Sequence, residues 1–210
     1  GSRMKYAVIC FTERGAWVCR RLFHKLREAG GECEAVVPGR FLREEWKKEG
    51  MKEPGGEPLS QWTGRMFAEK RGMIFVSAAG IAVRAIAPWV RDKMTDPPVV
   101  SVDEGAQFVI PLLSGHVGGA NGLARRIAEW LRSTPVITTA TDVNGKFAVD
   151  LFASVYHMVI TDRKEAKNIS AAVLEGKHIG VFSDLPLKTL PEGFILGKHL
   201  EKNIQITVNT

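Results

Sequence analysis

Apolar residues along the chain follow two alternating patterns: short continuous runs, and runs spaced three or four residues apart. Lys5–Phe11 is a continuous run and predicts a buried strand. Ala16–Ala29 has the helical spacing, and two glycines at positions 30 and 31 end it. Cys33–Val37 predicts a second strand. A strand, a helix and a strand in this order predict a βαβ unit, in which the two strands are parallel.

The same alternation continues to the end of the chain, after a charged stretch over Arg40–Gly56 that predicts a short helix and a mobile loop. Further strands are predicted over Met73–Val76, Val99–Val102, Phe108–Ile110, Val136–Thr139, Lys177–Phe182 and Ile204–Val208, and helices over Ser60–Lys70, Ala120–Leu131, Phe147–Tyr156 and Lys164–Leu174. The pattern predicts an α/β fold with a Rossmann-like or flavodoxin-like, mostly parallel sheet and a second small α/β unit.

The domain boundary is predicted near Ser133–Asp142, where the pattern restarts. We therefore expect an N-terminal α/β domain over residues 4–132 and a middle α/β region over residues 133–210. Gly1-Ser2-Arg3 precede Met4 and read as an expression scar.

Composition narrows the class of protein. Apolar residues make up 45% of the chain and charged residues 25%, as in an ordinary globular protein with a core. No apolar run reaches the roughly 18–20 residues that a bilayer requires, and no signal-peptide pattern follows Met4. We therefore expect a cytoplasmic protein with no membrane partner.

Charge and cysteine content exclude some partners and cofactors. The net charge of +6, or +5 without Arg3, suits a polyanionic small molecule, a membrane or nucleic acid. No RNA-binding signature or basic helix face is present, so nucleic acid is not expected. Three cysteines without a CxxC pair argue against a disulfide framework or a zinc site, and the five histidines lack metal-ligand spacing. No protein-bound metal or cofactor is expected.

Ser77–Pro88 is the first of three segments that could carry chemistry, because it is rich in small residues and follows a predicted strand. Gly80 lets backbone approach a ligand, and a helix that starts here presents N–H groups to an anion. Arg84 could pair with a carboxylate. Equally, the segment could be a tight strand–helix turn with Arg84 in solvent.

The second segment joins Asp103-Glu104 to the loop Ser114-Gly115-His116-Val117-Gly118-Gly119-Ala120-Asn121. Its glycines can bring N–H groups together at a helix start, which suits carboxylate binding or stabilisation of an oxyanion. His116 can act as an acid or a base near neutral pH. The alternatives are a simple turn at Gly118-Gly119, a helix cap at Asn121 and a structural His116.

Thr138–Asp142 is the third segment, with hydroxyl groups and a carboxylate after a predicted strand. Thr139, Thr141 and Asp142 could bind a ligand or only cap a helix. We expect all three segments, with Asp103 and Glu104, to converge on one cleft at the carboxyl ends of the strands.

These motifs, in register over about Met73–Asp142, resemble the cobalamin (vitamin B12) biosynthesis CbiG family. The resemblance rests on Ala78–Pro88, on Val102–Gly105, on Leu112–Asn121 and on Pro135–Asp142. Residues 4–70 resemble the family's variable start and residues 147–210 its middle region, and the family's usual C-terminal domain has no counterpart here.

The resemblance implies a hydrolase that opens the δ-lactone of cobalt-precorrin-5A and releases acetaldehyde, giving cobalt-precorrin-5B. Its cobalt-bound tetrapyrrole substrate carries acetate and propionate groups, which a basic protein would attract. The cobalt belongs to the substrate, and other enzymes of the pathway are conceivable partners.

Lactone hydrolysis requires a base, an acid and oxyanion donors, and the roles are assigned by chemistry to the matched positions. His116 and Glu104 are the candidates for base and acid. Ser114 is a candidate nucleophile, although GxSxG is absent. The candidate substrate-binding residues are Gly80, Arg84, Asp103, Gly115, Gly118, Gly119, Asn121, Thr139, Thr141 and Asp142.

Two other functions remain open from the sequence. The chain could be a non-catalytic tetrapyrrole-binding portion whose active site needs a further C-terminal domain. It could also be a phosphate- or nucleotide-binding α/β domain that uses residues 118–122, although neither GxGxxG nor GxxxxGK[ST] occurs.

Overall fold

The start of the chain forms the predicted βαβ unit. In the computed structural model, which describes residues 3–115, 118–139, 153, 158–187, 190 and 193–208, the chain divides into two units, residues 1–137 and 138–210. The strands of the first unit are β1 (Lys5–Cys10), β2 (Glu32–Val36), β3 (Gly72–Val76), β4 (Val99–Val102), β5 (Phe108–Leu113) and β6 (Thr134–Pro135), and its helices are α1 (Glu13–Glu28), α2 (Glu44–Glu49), α3 (Leu59–Ala68), α4 (Ala79–Ile86) and α5 (Ala120–Leu131). Short 3-10 turns occupy Gly39–Phe41 and Ala87–Trp89.

Six strands of the first unit form one sheet in the order β2-β1-β3-β4-β5-β6. β1 is parallel to both β2 and β3, and β3 is parallel to β4, so the predicted α/β fold with a mostly parallel sheet is confirmed. β5 and β6 run the other way, because β5 is antiparallel to β4 and β6 is parallel to β5.

Helices cover both faces of this sheet. Alternate residues of β1 enter different cores: Tyr6 and Val8 pack with α1 and α5, whereas Ala7 and Ile9 pack with α3 and α4. This period of two is the geometry of a strand, and burial on both faces explains the continuous apolar run. Thr12 caps the N-terminus of α1, and its hydroxyl accepts a hydrogen bond from the Gly15 N–H.

The prediction of a strand over Val136–Thr139 is wrong, because the pairing occurs earlier, at Thr134–Pro135. α5 ends at Leu131, and the Thr134 N–H then donates to the Gln107 carbonyl at the start of β5. The Val136 N–H adds one more bond, to the Val109 carbonyl, and the ladder stops there.

The second unit holds a smaller sheet. Its elements are α6 (Arg163–Leu174), β7 (Ile179–Ser183), β8 (Phe194–Leu196) and β9 (Lys202–Ile206), with parallel strands in the order β8-β7-β9. The predicted strands over Lys177–Phe182 and Ile204–Val208 are displaced by one or two residues, and β8 was not predicted. The helix predicted over Phe147–Tyr156 lies outside the described residues except for Ala153. In the described part of the chain no helix is long and apolar enough to cross a membrane.

Candidate functional site

The sheet of the first unit has two edges at which loops leave it. We call the edge where β1, β3 and β4 end the carboxyl edge, and the edge where they begin the amino edge. Because β5 is antiparallel to β4, Leu113 at its end pairs with Val99 at the start of β4. The glycine-rich loop that follows Leu113 therefore leaves the sheet at the amino edge, whereas Asp103 and Glu104 leave it at the carboxyl edge.

This topology divides the predicted site. The expectation that the described residues of all the segments converge on one cleft is wrong, because it assumed that every strand runs the same way. Ser77, Gly80, Arg84, Asp103 and Glu104 belong to the carboxyl edge, whereas Ser114, Gly115, Gly118, Gly119 and Asn121 belong to the amino edge.

Ser77 and α4 form the first part of the carboxyl edge. The Ser77 hydroxyl donates to the carbonyl of Ala78, and α4 begins after Ala78 without a side-chain cap. Gly80 is exposed, and among the described residues, apart from its chain neighbours and the backbone of its own helix, no atom lies within 4 Å of the position that a Cβ would take there. Arg84 is also exposed, on the second turn of α4. These residues offer a solvent-facing surface rather than an enclosed cleft.

Asp103 stabilises the loop between β4 and β5. Its carboxylate accepts hydrogen bonds from the N–H groups of Gly105 (3.1 Å), Gln107 (2.8 Å) and Phe108 (2.6 Å). Three donors on one carboxylate explain how five residues close a tight connection. Glu104, the next residue, is exposed.

Strand order singles out a further loop at the carboxyl edge, which sequence reasoning did not assign. The chain moves from β1 outward to β2 and then returns to β3 on the other side of β1. Loops at such a switch point frame the ligand crevice in open α/β sheets, and here one of them leads from β1 through residues 11 and 12 into the first turn of α1. Its Arg14 guanidinium reaches Gly105, where a Cβ would lie 3.4 Å from an Arg14 nitrogen. Only the strand order shows that this loop lies at the switch point, and the strand order cannot be read from the sequence.

The glycine-rich loop at the amino edge is held by Ser114. This buried residue has a left-handed backbone (φ 59°), and its hydroxyl donates to the Asp96 carbonyl at 2.9 Å. The Ser114 and Gly115 carbonyls accept the N–H groups of Ala120 and Asn121, which closes the first turn of α5. The loop thus cross-links the starts of β4 and α5, and the Ser114 hydroxyl is engaged in that task.

Gly118 must be a glycine at this place, because a Cβ on it would collide with the side chain and the carbonyl of Ser114. Gly119 is the left-handed residue before α5 (φ 86°) and is exposed. In the described part of the chain, apart from chain neighbours and the backbone of α5 itself, no atom lies within 4 Å of the Cβ positions at Gly119 or Gly122. The backbone here is accessible from one side and packed on the other.

A cavity of about 410 Å³ lies at the amino edge beside these glycines. It joins the start of β1 to the first turns of α5. Its lining residues are Met4, Tyr6, Pro98, Gly118, Gly119, Gly122, Leu123 and Arg126. This volume is in the range of small-molecule sites, roughly 300–1,000 Å³.

Other predicted residues cannot be placed against this cavity. His116, Thr141 and Asp142 lie outside the described residues, although Gly115 and Gly118, on either side of residues 116–117, lie at the amino edge. Thr139 belongs to the second unit. Asn121 is buried at the start of α5, and its side chain lies against Gly115.

The cysteines take no part in these surfaces. Burial raises the pKa of the Cys33 thiol to about 12, and a hydrogen bond with Cys10, together with burial, raises the pKa of Cys19 well above its usual value. Both thiols are therefore protonated near neutral pH, so neither provides a thiolate nucleophile.

Comparison with known proteins assigns the chain to a family. Residues 61–142 match the family model for the cobalamin synthesis G N-terminal region, and residues 147–205 match the model for the cobalamin biosynthesis central region. The first match includes β3, β4, β5, α4 and α5, which form most of both edges of the sheet. β1 and β2 lie before the matched residues.

Two curated relatives are named cobalt-precorrin-5A hydrolase. The one from Salmonella typhimurium is 37% identical over 183 residues, which cover 86% of this chain and 49% of the relative. The one from Priestia megaterium is 33% identical over 182 residues, covering 87% of this chain and 47% of the relative. The chain therefore spans about half the length of these relatives.

A solved structure has a similar fold. It is the crystal structure of a cobalamin biosynthesis protein G homolog from Sulfolobus solfataricus, with a TM-score of 0.54 and 22% identity, covering 96% of this chain and 59% of that one. With two family models matched in order along the chain and relatives at 33–37% identity, this chain belongs to the cobalamin biosynthesis G family and carries its N-terminal and central regions.

Proposed function

We propose that the full-length protein containing this chain is a cobalt-precorrin-5A hydrolase that works in the cytoplasm. One observation carries this proposal: 37% identity over 183 residues to a relative of that name. The reaction we propose opens the δ-lactone of the cobalt-bound tetrapyrrole and releases acetaldehyde. The cobalt is proposed to arrive with the substrate, and no further cofactor is proposed.

The amino edge is the proposed place of lactone opening. The cavity of about 410 Å³ lies there, and its lining includes Gly118 and Gly119, which follow His116 closely in the sequence. A positioned imidazole can take a proton from water and return it to the leaving alkoxide. In this proposal Ser114 is a positioning residue, because its buried hydroxyl is bonded to the Asp96 carbonyl.

Glu104 is less well placed to share that task. β4 is four residues long, which separates the two edges by roughly 13 Å or more. A proton transfer needs heavy atoms about 3 Å apart or one bridging water. Glu104 and a group at the amino edge therefore do not act on the same bond in this geometry.

A second candidate function follows from length. Because the chain spans about half of its curated relatives, its two regions could bind the tetrapyrrole while the remaining half supplies the chemistry. This alternative predicts that the 210-residue chain binds the substrate without releasing acetaldehyde.

The test is to incubate cobalt-precorrin-5A with the full-length protein and, in parallel, with the 210-residue chain, and to measure acetaldehyde. We expect release equal to the substrate consumed by the full-length protein. Release by the shorter chain as well would place the catalytic groups within it. Binding without any release by the full-length protein would refute the hydrolase.

A further inference from the structure

We infer that the amino-edge cavity is a carboxylate-binding subsite formed by Arg126 and Tyr6. The two side chains meet at its wall, where the Arg126 guanidinium donates to the Tyr6 phenol oxygen at 2.9 Å. They are 120 residues apart in the sequence, so only the fold brings them together. Neither residue was among the candidates from the sequence.

Tyr6 holds its hydroxyl in a fixed position. The residue is 4% exposed, and its ring fits between two glycines: a Cβ at Gly31 would lie 2.7 Å from the ring and a Cβ at Gly72 would lie 3.1 Å from it. Its carbonyl accepts a hydrogen bond from Arg71 at 3.1 Å. The phenol oxygen accepts the Arg126 N–H and can still donate its own proton to a ligand.

Arg126 provides the charge. Among the described residues that line the cavity it is the only charged side chain, so no acidic group of the lining neutralises it. Its guanidinium also lies 5.8 Å from the centre of the Trp130 ring, one turn further along α5. A guanidinium has five N–H donors, and the bond to Tyr6 uses one of them.

The ligand class follows from this lining. A guanidinium beside a phenol O–H suits a carboxylate, which accepts from both donors. The rest of the lining is apolar or glycine backbone, which favours an organic acid over inorganic phosphate. The first N–H groups of α5 are already bonded to the loop, at Ala120 and Asn121, so the two side chains rather than the helix end would bind the anion.

This inference rests on the proposed function for the identity of the ligand, which would be an acetate or propionate side chain of the tetrapyrrole. The carboxylate chain would enter beside Gly119 and Gly122, where the backbone is open. The subsite would thereby hold the macrocycle next to the glycine-rich loop.

The test uses uroporphyrin, a tetrapyrrole with acetate and propionate chains, titrated into the 210-residue chain and followed by its visible absorbance. Arg126→Gln should weaken binding about 10-fold, as expected for loss of a partly exposed charge-assisted hydrogen bond. Arg126→Lys should retain part of the affinity, and Tyr6→Phe should lose about threefold. Arg132→Gln, the same change of charge just beyond the end of α5, is the matched control and should bind like the wild type.

The outcomes separate this inference from the proposed function. If Arg126→Gln and Arg132→Gln weaken binding equally, the effect is general charge and the subsite is refuted, whatever the acetaldehyde assay shows. If only Arg126→Gln weakens binding while the full-length wild type releases no acetaldehyde, the carboxylate subsite stands and the hydrolase proposal fails. Unchanged binding of the uroporphyrin methyl ester by Arg126→Gln would further support recognition of the carboxylate.

Discussion

The carboxyl edge and the amino edge of the sheet both carry polar and glycine residues from the family-matched region, but they arrange them differently. At the carboxyl edge, Asp103 is bonded to three backbone N–H groups, and Glu104 and Arg84 are exposed. At the amino edge, Ser114 anchors a loop against which a cavity of about 410 Å³ opens.

One connection causes this difference. Five residues join β4 to β5, and a parallel crossover needs a dozen or more, so β5 must return antiparallel. That reversal carries the glycine-rich loop to the opposite edge. In an α/β fold, the rule that ligands bind at the carboxyl ends of strands therefore needs the direction of each strand before it can be applied.

The largest effect is expected on acetaldehyde release, and it compares a variant at the amino edge with one at the carboxyl edge. His116→Ala should lower single-turnover acetaldehyde release by the full-length protein about 10²–10⁴-fold, the usual contribution of one positioned acid–base group. Substrate binding should be retained, because other groups hold the carboxylates. Glu104→Gln should lower release by less than about threefold. The reverse ranking would move the reaction to the carboxyl edge.

The second effect concerns the packing of the glycine-rich loop. Gly118→Ala should reduce the free energy of unfolding by about 2–3 kcal/mol, because the added Cβ overlaps Ser114. Gly122→Ala is the matched control on α5, where the space is open, and should increase it by up to about 1 kcal/mol. Urea unfolding of both variants measures the difference. Equal values would mean that the loop is not packed as described.

The third effect tests whether Asp103 is structural. Asp103→Ala should reduce the free energy of unfolding by about 1–3 kcal/mol, because three backbone N–H groups lose their acceptor. Asp103→Asn keeps one acceptor oxygen and should lose less. Glu104→Ala, at the exposed neighbouring position, should be close to neutral in the same urea titration. A neutral Asp103→Ala would leave this carboxylate available as a ligand group.

The smallest effect is expected on tetrapyrrole binding, and it compares Arg84 at the carboxyl edge with Arg126 at the amino edge. Arg84→Ala should weaken tetrapyrrole binding by about threefold with little change in turnover, since an exposed cation contributes mainly general attraction. The loss should be smaller than that for Arg126→Gln. Binding titrations and single-turnover assays on both variants give the comparison. A larger loss at Arg84 would indicate that the carboxyl edge binds the substrate.

Most helices and strands of the first unit could be predicted from residue spacing, whereas the position of the site could not. α5 was predicted with the bounds that the structure shows, because its apolar residues repeat with a clear helical spacing. The strand at Thr134–Pro135 was misplaced by two residues, because a two-residue strand has no periodicity of its own. The residue types of the glycine-rich loop predict a functional loop, but they do not predict the edge of the sheet at which it lies. That edge depends on the direction of β5.

The sequence by itself determined the order of helices and strands and the family, since both depend on residue types in register along the chain. It also contained the five-residue spacing that makes β5 antiparallel. The tertiary structure alone decided that Arg126 meets Tyr6, because no local pattern links residues 120 positions apart. It also decided where the cavity of about 410 Å³ lies, because a cavity is the space left between packed elements and not a property of any one of them.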